Sequence, residues 1–148
     1  YPYHGLAKGH KTQLAPTNGA MGYGVPAGIG AAIVQPGRTV FTIAGDGDFL
    51  MNGQELATAA QFGAKTIIVL VNNGTYGTIR MHQEREYPQH VSGSTLVNPD
   101  FCALARAYGY AAEQVTTTEE FEPAFRRALE AKQGTASLLA RLEKLVRG

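Results

Sequence analysis

The sequence predicts an α/β domain of three layers, αβα, in which helices cover both faces of a mostly parallel sheet. Segments rich in β-branched and apolar residues alternate with segments of helical pattern along the chain. The clearest strand is KTIIVLVNN (65–73), whose uninterrupted apolar run is typical of a strand covered on both faces. Because a helical segment connects each strand to the next, parallel pairing is favoured.

Size and charge limit the classes of protein. The chain of 148 residues is predicted to form one domain, 1–148, with an irregular lead-in over 1–16. Thirteen basic and twelve acidic residues leave a formal net charge of +1, which gives no reason to expect nucleic acid or a membrane surface as a partner. No apolar run approaches the ~20 residues of a membrane span and no signal peptide is visible, so a cytoplasmic protein is expected.

Cysteine and glycine are the informative residue types. The single cysteine, Cys102, excludes an internal disulfide and lies in a helical pattern, which favours a buried thiol over a nucleophile. The 18 glycines cluster mainly between Gly5 and Gly77. Since glycine lets a backbone approach a ligand closely, a ligand is expected in this front part of the chain.

The front half is predicted to contain two helices and one strand before the strand at 65–73. Small residues at helical spacing indicate a helix within 21–35, whose glycines indicate close packing against a neighbour. A β-branched strand follows over 39–45, then a turn over GDGD (45–48), then a helix over 52–63.

The back half is predicted to contain two helices and two strands after a long loop. Asn98 and Pro99 are expected to be the cap and first-turn pair of the first of these helices. Because of Pro123, the sequence does not fix the residue at which the second helix begins. The loop is expected to include a short helix over 78–84. The loop is expected over 74–97. It is followed by a helix over 100–109, a strand over 110–115, a helix over 117–134 and a strand over 135–142.

Two aspartates in a glycine turn pose a question of charge. The segment AGDGDFLMNGQE (44–55) contains a glycine turn after a strand, and turns of this kind usually bind phosphate. The carboxylates of Asp46 and Asp48 would repel a phosphate there. A divalent cation between carboxylate and diphosphate resolves the conflict, and Mg²⁺ prefers oxygen ligands. Ligands of parallel sheets bind beyond the carboxyl ends of the strands, where Asp46, the Asn73 amide oxygen and the Thr75 carbonyl would meet.

The spacing of these residues resembles the motif of thiamine diphosphate enzymes. Gly45-Asp46-Gly47 is followed by 24 residues (48–71) and then by Asn72-Asn73. NGAMGYGVPAGIGAA (18–32) and the segment from GDGDFLM to NNGTYG are similar to the acetolactate synthase-like group of that family. The likeness runs from about Gln13 to about Leu142 and implies the C-terminal, diphosphate-binding domain with its thiamine diphosphate-binding fold.

The resemblance implies roles for individual residues, with thiamine diphosphate and Mg²⁺ as cofactors. Asp46, Asn73 and the Thr75 carbonyl would bind the metal, Met21 would support the bent cofactor, and the Gly19 carbonyl would accept a bond from its amino group. The amides of Gly47 and Asp48 would face the diphosphate, with the Asp48 carboxylate turned toward a cap or solvent. The implied cofactor-binding set is Gly19, Ala20, Met21, Gly45, Gly47, Asp48, Asn73, Tyr76 and Gly77.

The resemblance is weakest at the substrate pocket. Ile79 and His82 stand where acetolactate synthases carry a valine and, three residues later, a tryptophan. Ile79 also replaces the glutamate of pyruvate decarboxylases. Both residues are therefore candidates for the pocket, and neither known specificity transfers.

The resemblance also implies a partner. In this superfamily a glutamate from a separate pyrimidine-binding domain completes the cofactor site. The chain is therefore expected to be half of a site, either a fragment or one subunit of a larger enzyme, and largely inactive alone. The pyrimidine-binding domain would come from the same or another subunit of a homodimer or homotetramer.

Three functions remain open from the sequence. The first is the cofactor-binding domain of a 2-oxo acid decarboxylase or carboligase, a lyase or transferase of the acetolactate synthase type. The second is the small subunit of a split enzyme such as sulfopyruvate or phosphonopyruvate decarboxylase. The third is a non-catalytic phosphate-binding α/β module, although no Gly-x-Gly-x-x-Gly turn indicates a dinucleotide site.

Overall fold

The computed structural model describes residues 12–131 and 137–140, which form helices around a parallel sheet. The elements are α1 (Gly24–Val34), β1 (Val40–Gly45), α2 (Asp46–Asn52), a 3-10 turn (Gly53–Glu55), α3 (Leu56–Phe62), β2 (Thr66–Val71), α4 (Gly77–Glu86), α5 (Phe101–Ala107), β3 (Ala112–Val115), α6 (Thr118–Glu130) and β4 (Ser137–Ala140). None of the described helices is long and apolar enough to cross a membrane.

The described strands are all parallel, in the order β1-β2-β4-β3. The register places Gly45 opposite Val71, so β1 and β2 end at the same level. Helix α2, which follows β1, and the loop that follows β2 therefore begin at the same end of the sheet. This alignment places Asp46 next to the loop that begins with Asn72.

Helices cover both faces of the sheet, as the three-layer prediction requires. Alternate residues of β2 point to opposite faces: Ile68 and Leu70 pack with α1, α3 and α5, whereas Ile67 and Val69 pack with α6. The uninterrupted apolar run of this strand is thus explained, because each side of it lies in a separate core.

Close packing of α1 on β1 explains one of its glycines. A Cβ on Gly28 would collide with the Oγ1 of Thr42, a buried residue of β1. The prediction that the glycines of 21–35 reflect close packing is confirmed at this position. The helix itself begins three residues later than the start of the predicted segment, at Gly24.

The predicted turn over 45–48 and the helix start at 52 were wrong. Helix α2 begins directly after β1 at Asp46, and Asn52 is its last residue. The two aspartates lie in the first turn of α2, where negative charge interacts favourably with the helix dipole. A 3-10 turn then leads into α3, and it begins at Gly53, whose backbone is packed against the ring of Phe49.

Helix α4 occupies more of the long loop than predicted. It spans Gly77–Glu86 rather than 78–84, and none of its residues is buried. An ion pair between Arg80 and Glu84, at 2.9 Å, supports it along its own exposed face. The chain then returns toward the sheet, held by a hydrogen bond of 2.8 Å from Gln83 Nε2 to the Ser92 carbonyl.

The prediction that Asn98 and Pro99 start α5 was wrong. The cap is Asp100, whose Oδ1 accepts a hydrogen bond of 2.9 Å from the Ala103 amide, and the helix begins at Phe101. The side chain of Asn98 is engaged elsewhere. Cys102 is buried in α5 and packs in the core, which confirms the predicted buried thiol, and burial raises the pKa of that thiol.

Helix α6 begins at Thr118 with Pro123 inside it. Glu120 caps the N-terminus of this helix, because its carboxylate accepts hydrogen bonds from the Thr116 and Thr117 amides at 2.8 and 3.2 Å.

The last predicted strand, 135–142, is present as β4, and the rest of that range lies outside the described residues. Of the predicted lead-in, residues 12–16 form no helix or strand and 1–11 lie outside the described residues.

The contact between α1 and β1 leads to a first prediction. Gly28→Ala should lower the free energy of unfolding by about 1–3 kcal/mol, the usual cost of overpacking, despite the better helix propensity of alanine. In a Thr42→Ala background, which removes the colliding oxygen, the same change should cost much less. Urea denaturation of the four proteins measures this coupling. Gly30→Ala, whose Cβ would meet nothing within 4 Å, is the matched control; strictly additive effects would contradict the packing.

The start of α6 leads to a second prediction. Hydrogen bonds from Thr116 and Thr117 hold the pKa of Glu120 below its usual value. The stabilisation is therefore present above the unfolded pKa of about 4.3 and is lost as pH falls through the lower folded pKa. The difference in melting temperature between the protein and Glu120→Ala should thus shrink on acidification. Glu119→Ala controls for charge in the same turn; a difference independent of pH would contradict this role.

Candidate cofactor and metal site

The candidate site lies at the carboxyl ends of β1 and β2. Asp46 follows β1 directly and is the first residue of α2, where it is only 2% exposed. Asn72 and Asn73 follow β2. Because the strands end at the same level, the loop after β2 reaches the carboxylate of Asp46.

Donors from three separate segments surround the carboxylate of Asp46. Its Oδ1 accepts from the Gly47 amide at 2.9 Å. Its Oδ2 accepts from the Gly74 amide at 2.8 Å and from Asn98 Nδ2 at 2.6 Å. None of the ion pairs between described residues includes Asp46. A buried carboxylate without a cationic partner is costly, so the arrangement favours a cation at this position.

The two other predicted metal ligands lie in the loop after β2. The amide that binds Asp46 belongs to Gly74, the residue between Asn73 and Thr75. Asn73 is exposed, and its Oδ1 accepts from the Thr75 amide at 3.0 Å. The Thr75 carbonyl accepts from the Gly77 amide at 2.9 Å. Each of these oxygens has a second lone pair, so each retains capacity for a further ligand.

Residues 94–96, at the end of the predicted loop 74–97, brace the start of that loop, a contact that the sequence did not indicate. Ser94, Thr95 and Leu96 run antiparallel to it, with a bridge between Thr75 and Thr95. The Ser94 carbonyl accepts from Thr75 Oγ1 at 2.7 Å and from the Tyr76 amide at 2.8 Å. The Leu96 amide donates to the Gly74 carbonyl at 2.8 Å. The loop that carries the predicted ligands is therefore held on both sides.

Two buried polar atoms beside this loop have no hydrogen-bond partner within the part of the chain that the structure describes. They are the Oγ of Ser94 and the Oδ1 of Asn98. An unsatisfied buried polar atom costs about 1–3 kcal/mol, and a bound water or ion is one of the usual reasons why a protein retains such an atom. Their presence next to Asp46 and Thr75 fits a site that takes up a further polar group.

Close packing accounts for the glycine at position 47. The ring of Tyr76 lies against Gly47, and a Cβ there would collide with Cε1 of that ring. Tyr76 thus holds the loop after β2 against the first turn of α2. The amide of Gly47, predicted to face the diphosphate, donates to Asp46 in this structure.

The segment with Gly19, Ala20 and Met21 is anchored to α2 through Gly22. The Gly22 amide donates to Asp48 Oδ1 at 2.5 Å, and Asn52 Nδ2 donates to the Gly22 carbonyl at 2.8 Å. The Asp48 carboxylate, expected at a cap or in solvent, instead fixes this neighbouring segment. Met21 is 38% exposed, so part of its side chain is open to contact.

The two candidate substrate-pocket residues lie on α4, away from the hydrogen bonds of Asp46. Ile79 is 45% exposed, and His82 is also exposed. The Nδ1 of His82 lies 3.0 Å from Nη2 of Arg85, which also pairs with Glu86 at 2.9 Å. Both residues are accessible to a molecule approaching this helix.

The donor set suits magnesium better than a transition metal. No group of three His, Cys, Asp or Glu side chains within 12–131 is placed to hold a metal ion. The three predicted ligands would offer one carboxylate oxygen, one amide oxygen and one carbonyl oxygen. Mg²⁺ characteristically takes one or two such protein ligands together with phosphate oxygens and water.

Sequence reasoning missed Asn98, which holds Asp46, and the contacts that Ser94 and Asn72 make beside it. Asn98 was interpreted as a helix cap, and Ser94 and Asn72 were assigned no role of their own. A polar residue shortly before a helix is an ordinary capping signal. No spacing rule relates Asn98 to Asp46, which lies 52 residues earlier.

Comparisons with known proteins identify relatives of this chain. The family model described as "Thiamine pyrophosphate enzyme, C-terminal TPP binding domain" matches residues 2–139. An acetolactate synthase large subunit from Parasynechococcus marenigrum (strain WH8102) is 45% identical over 103 residues, 68% of this chain and 17% of that protein. A benzoylformate decarboxylase from Pseudomonas aeruginosa is 38% identical over 116 residues, 78% of this chain and 22% of that protein.

A solved structure agrees with these sequence matches. A thiamine diphosphate-dependent 4-hydroxybenzoylformate decarboxylase from Rhodococcus jostii RHA1 superposes with a TM-score of 0.76 at 34% identity, over 82% of this chain and 23% of that one. The chain thus spans about a fifth of the length of these relatives. It belongs to the thiamine pyrophosphate-dependent enzymes, in their acetolactate synthase-like group, and corresponds to their C-terminal cofactor-binding domain.

Proposed function

We propose that this chain binds the diphosphate of thiamine diphosphate through Mg²⁺, as half of the active site of a 2-oxo acid decarboxylase or carboligase. The observation that carries the proposal is the buried carboxylate of Asp46, which has hydrogen-bond donors but belongs to none of the ion pairs between described residues. A dication beside it offsets the cost of burial and gives the diphosphate a counter-charge.

Asp46, Asn73 and Thr75 are the proposed metal ligands. Asp46 supplies a carboxylate oxygen, Asn73 its amide oxygen and Thr75 its backbone carbonyl. The bracing residues 94–96 and the ring of Tyr76 keep the loop after β2 in position, so the ligands are ordered before the metal binds. Such ordering reduces the entropy lost on binding.

The segment around Met21 is proposed to hold the reactive part of the cofactor. When bound, thiamine diphosphate supplies the carbon nucleophile that adds to the keto carbon and accepts the electrons released with carbon dioxide. Met21 offers an apolar side chain, 38% exposed, against which the cofactor can rest. Asp48 and Asn52 fix the position of that segment relative to α2 through Gly22.

A pyrimidine-binding domain, from the same or another subunit, is proposed to complete the site. Met21 and Ile79 are partly exposed apolar side chains, and no residue of α4 is buried. These surfaces are available to a second domain and to substrate, with Ile79 and His82 as the proposed pocket residues. We expect the complete enzyme to be a homodimer or homotetramer of the cytoplasm, where a lone buried cysteine stays reduced.

The metal proposal is tested by calorimetric titration of the full-length protein with thiamine diphosphate, with and without Mg²⁺. Asp46→Asn, which keeps the shape of the side chain, and Asp46→Ala should abolish most of the gain in affinity that Mg²⁺ brings. We expect a loss above the roughly 10- to 100-fold typical of residues that only support a metal ligand.

The matched control is Asp100→Ala. It removes the cap of α5 and should lower the melting temperature without changing the response to Mg²⁺. Undiminished magnesium dependence in both Asp46 variants would refute the proposed ligand. Equally tight binding of ATP or NAD would instead favour a phosphate-binding module, and co-purification with a second, different chain would favour a split enzyme.

A further inference from the structure

Asn98 connects the start of α2 with the loop that follows β2. Its Nδ2 lies 2.6 Å from Oδ2 of Asp46 and 2.8 Å from Oδ1 of Asn72. An amide nitrogen carries two hydrogens, so it can donate to both acceptors at once. Asn98 lies just before α5 and is 52 residues from Asp46 along the chain, so it belongs neither to α2 nor to the start of the loop after β2.

The orientation of the Asn98 amide follows from its partners. Both neighbouring oxygens are acceptors here, since the Asp46 carboxylate can only accept and the Asn72 oxygen is a carbonyl. The nitrogen must therefore face them and the oxygen must face away. That oxygen, Oδ1 of Asn98, is buried and has no donor among the described residues. A water that Mg²⁺ retains in its coordination shell is a donor of the kind that would satisfy it.

The two carboxylate oxygens of Asp46 differ in the number of hydrogen bonds that they accept. Oδ2 accepts from Gly74 and from Asn98, which uses both of its lone-pair directions. Oδ1 accepts only from Gly47 among the described residues and keeps one direction open. A cation can thus reach Oδ1 but not Oδ2 while Asn98 is in place.

We propose that Asn98 is a positioning residue that makes Asp46 a monodentate ligand, through Oδ1, and thereby favours Mg²⁺ over larger cations. The inference rests on the proposed function of Asp46 as the metal ligand. Mg²⁺ demands near-octahedral geometry at short distances, whereas Ca²⁺ accepts bidentate carboxylates and irregular geometry. Without Asn98, Oδ2 is free to join the coordination, which suits Ca²⁺ better than Mg²⁺.

The test measures the affinities of Mg²⁺ and Ca²⁺ by calorimetry in the full-length protein with saturating thiamine diphosphate. Asn98→Ala should weaken Mg²⁺ binding by about 10- to 100-fold, the usual effect of losing a group that orients a metal ligand. Ca²⁺ binding should weaken less or not at all, so the ratio of the two affinities should fall. Asn98→Ser, too short to reach both acceptors, allows the same comparison if the alanine variant does not fold.

Asp100→Ala separates positioning from stability. It loosens the start of α5 close to Asn98 but removes no contact to Asp46, so it should leave the ratio of Mg²⁺ to Ca²⁺ affinity unchanged. Equal weakening of both cations in the Asn98 variants, or no change in either, would overturn the positioning role. If both the Asn98 variants and Asp46→Asn bound cations as the unchanged protein does, the proposed metal site itself would be wrong. If Asp46→Asn lost cation binding but the Asn98 variants kept it, only the inference about Asn98 would fail.

Discussion

The carboxylate of Asp46 is withdrawn from water at the carboxyl end of the sheet, and donors from the α2 turn, the loop after β2 and the segment before α5 converge on it. A buried charge of this kind is tolerated only where hydrogen bonds and an opposite charge compensate it. Three features keep those donors in place: β1 and β2 end at the same level, residues 94–96 brace the loop after β2, and Tyr76 packs on Gly47. The structure around the site is thus organised by one electrostatic constraint.

The described part of the chain has one region, around Asp46, that is held by many hydrogen bonds, and a second region of exposed side chains. Around Asp46 the backbone is held by hydrogen bonds between loops distant in sequence, which suits a metal that requires precise geometry. Met21, Ile79 and His82, by contrast, are exposed to different degrees. This division agrees with a domain that fixes the cofactor through its diphosphate while leaving the reacting end to be enclosed by a second domain.

Much of the fold could be predicted because its elements follow local rules. The apolar run of β2 requires cover on both faces, and the structure provides it with α1, α3 and α5 on one face and α6 on the other. The failures occurred where two local signals compete. The glycines of GDGD indicate a turn, yet Asp46 and Asp48 are also good first-turn residues, and the helix begins there. Asn98 and Asp100 are both good caps, and tertiary contacts select Asp100.

Strand patterns and the order of the elements are enough to predict that Asp46 and Asn73 follow adjacent parallel strands at the same end of the sheet. They do not predict which groups hold the Asp46 carboxylate or which of its oxygens stays open, and these features become visible in the folded chain. The reason is physical: the hydrogen bond from Asn98 to Asp46 joins segments with no shared period or pattern, and its formation depends on how the whole chain packs.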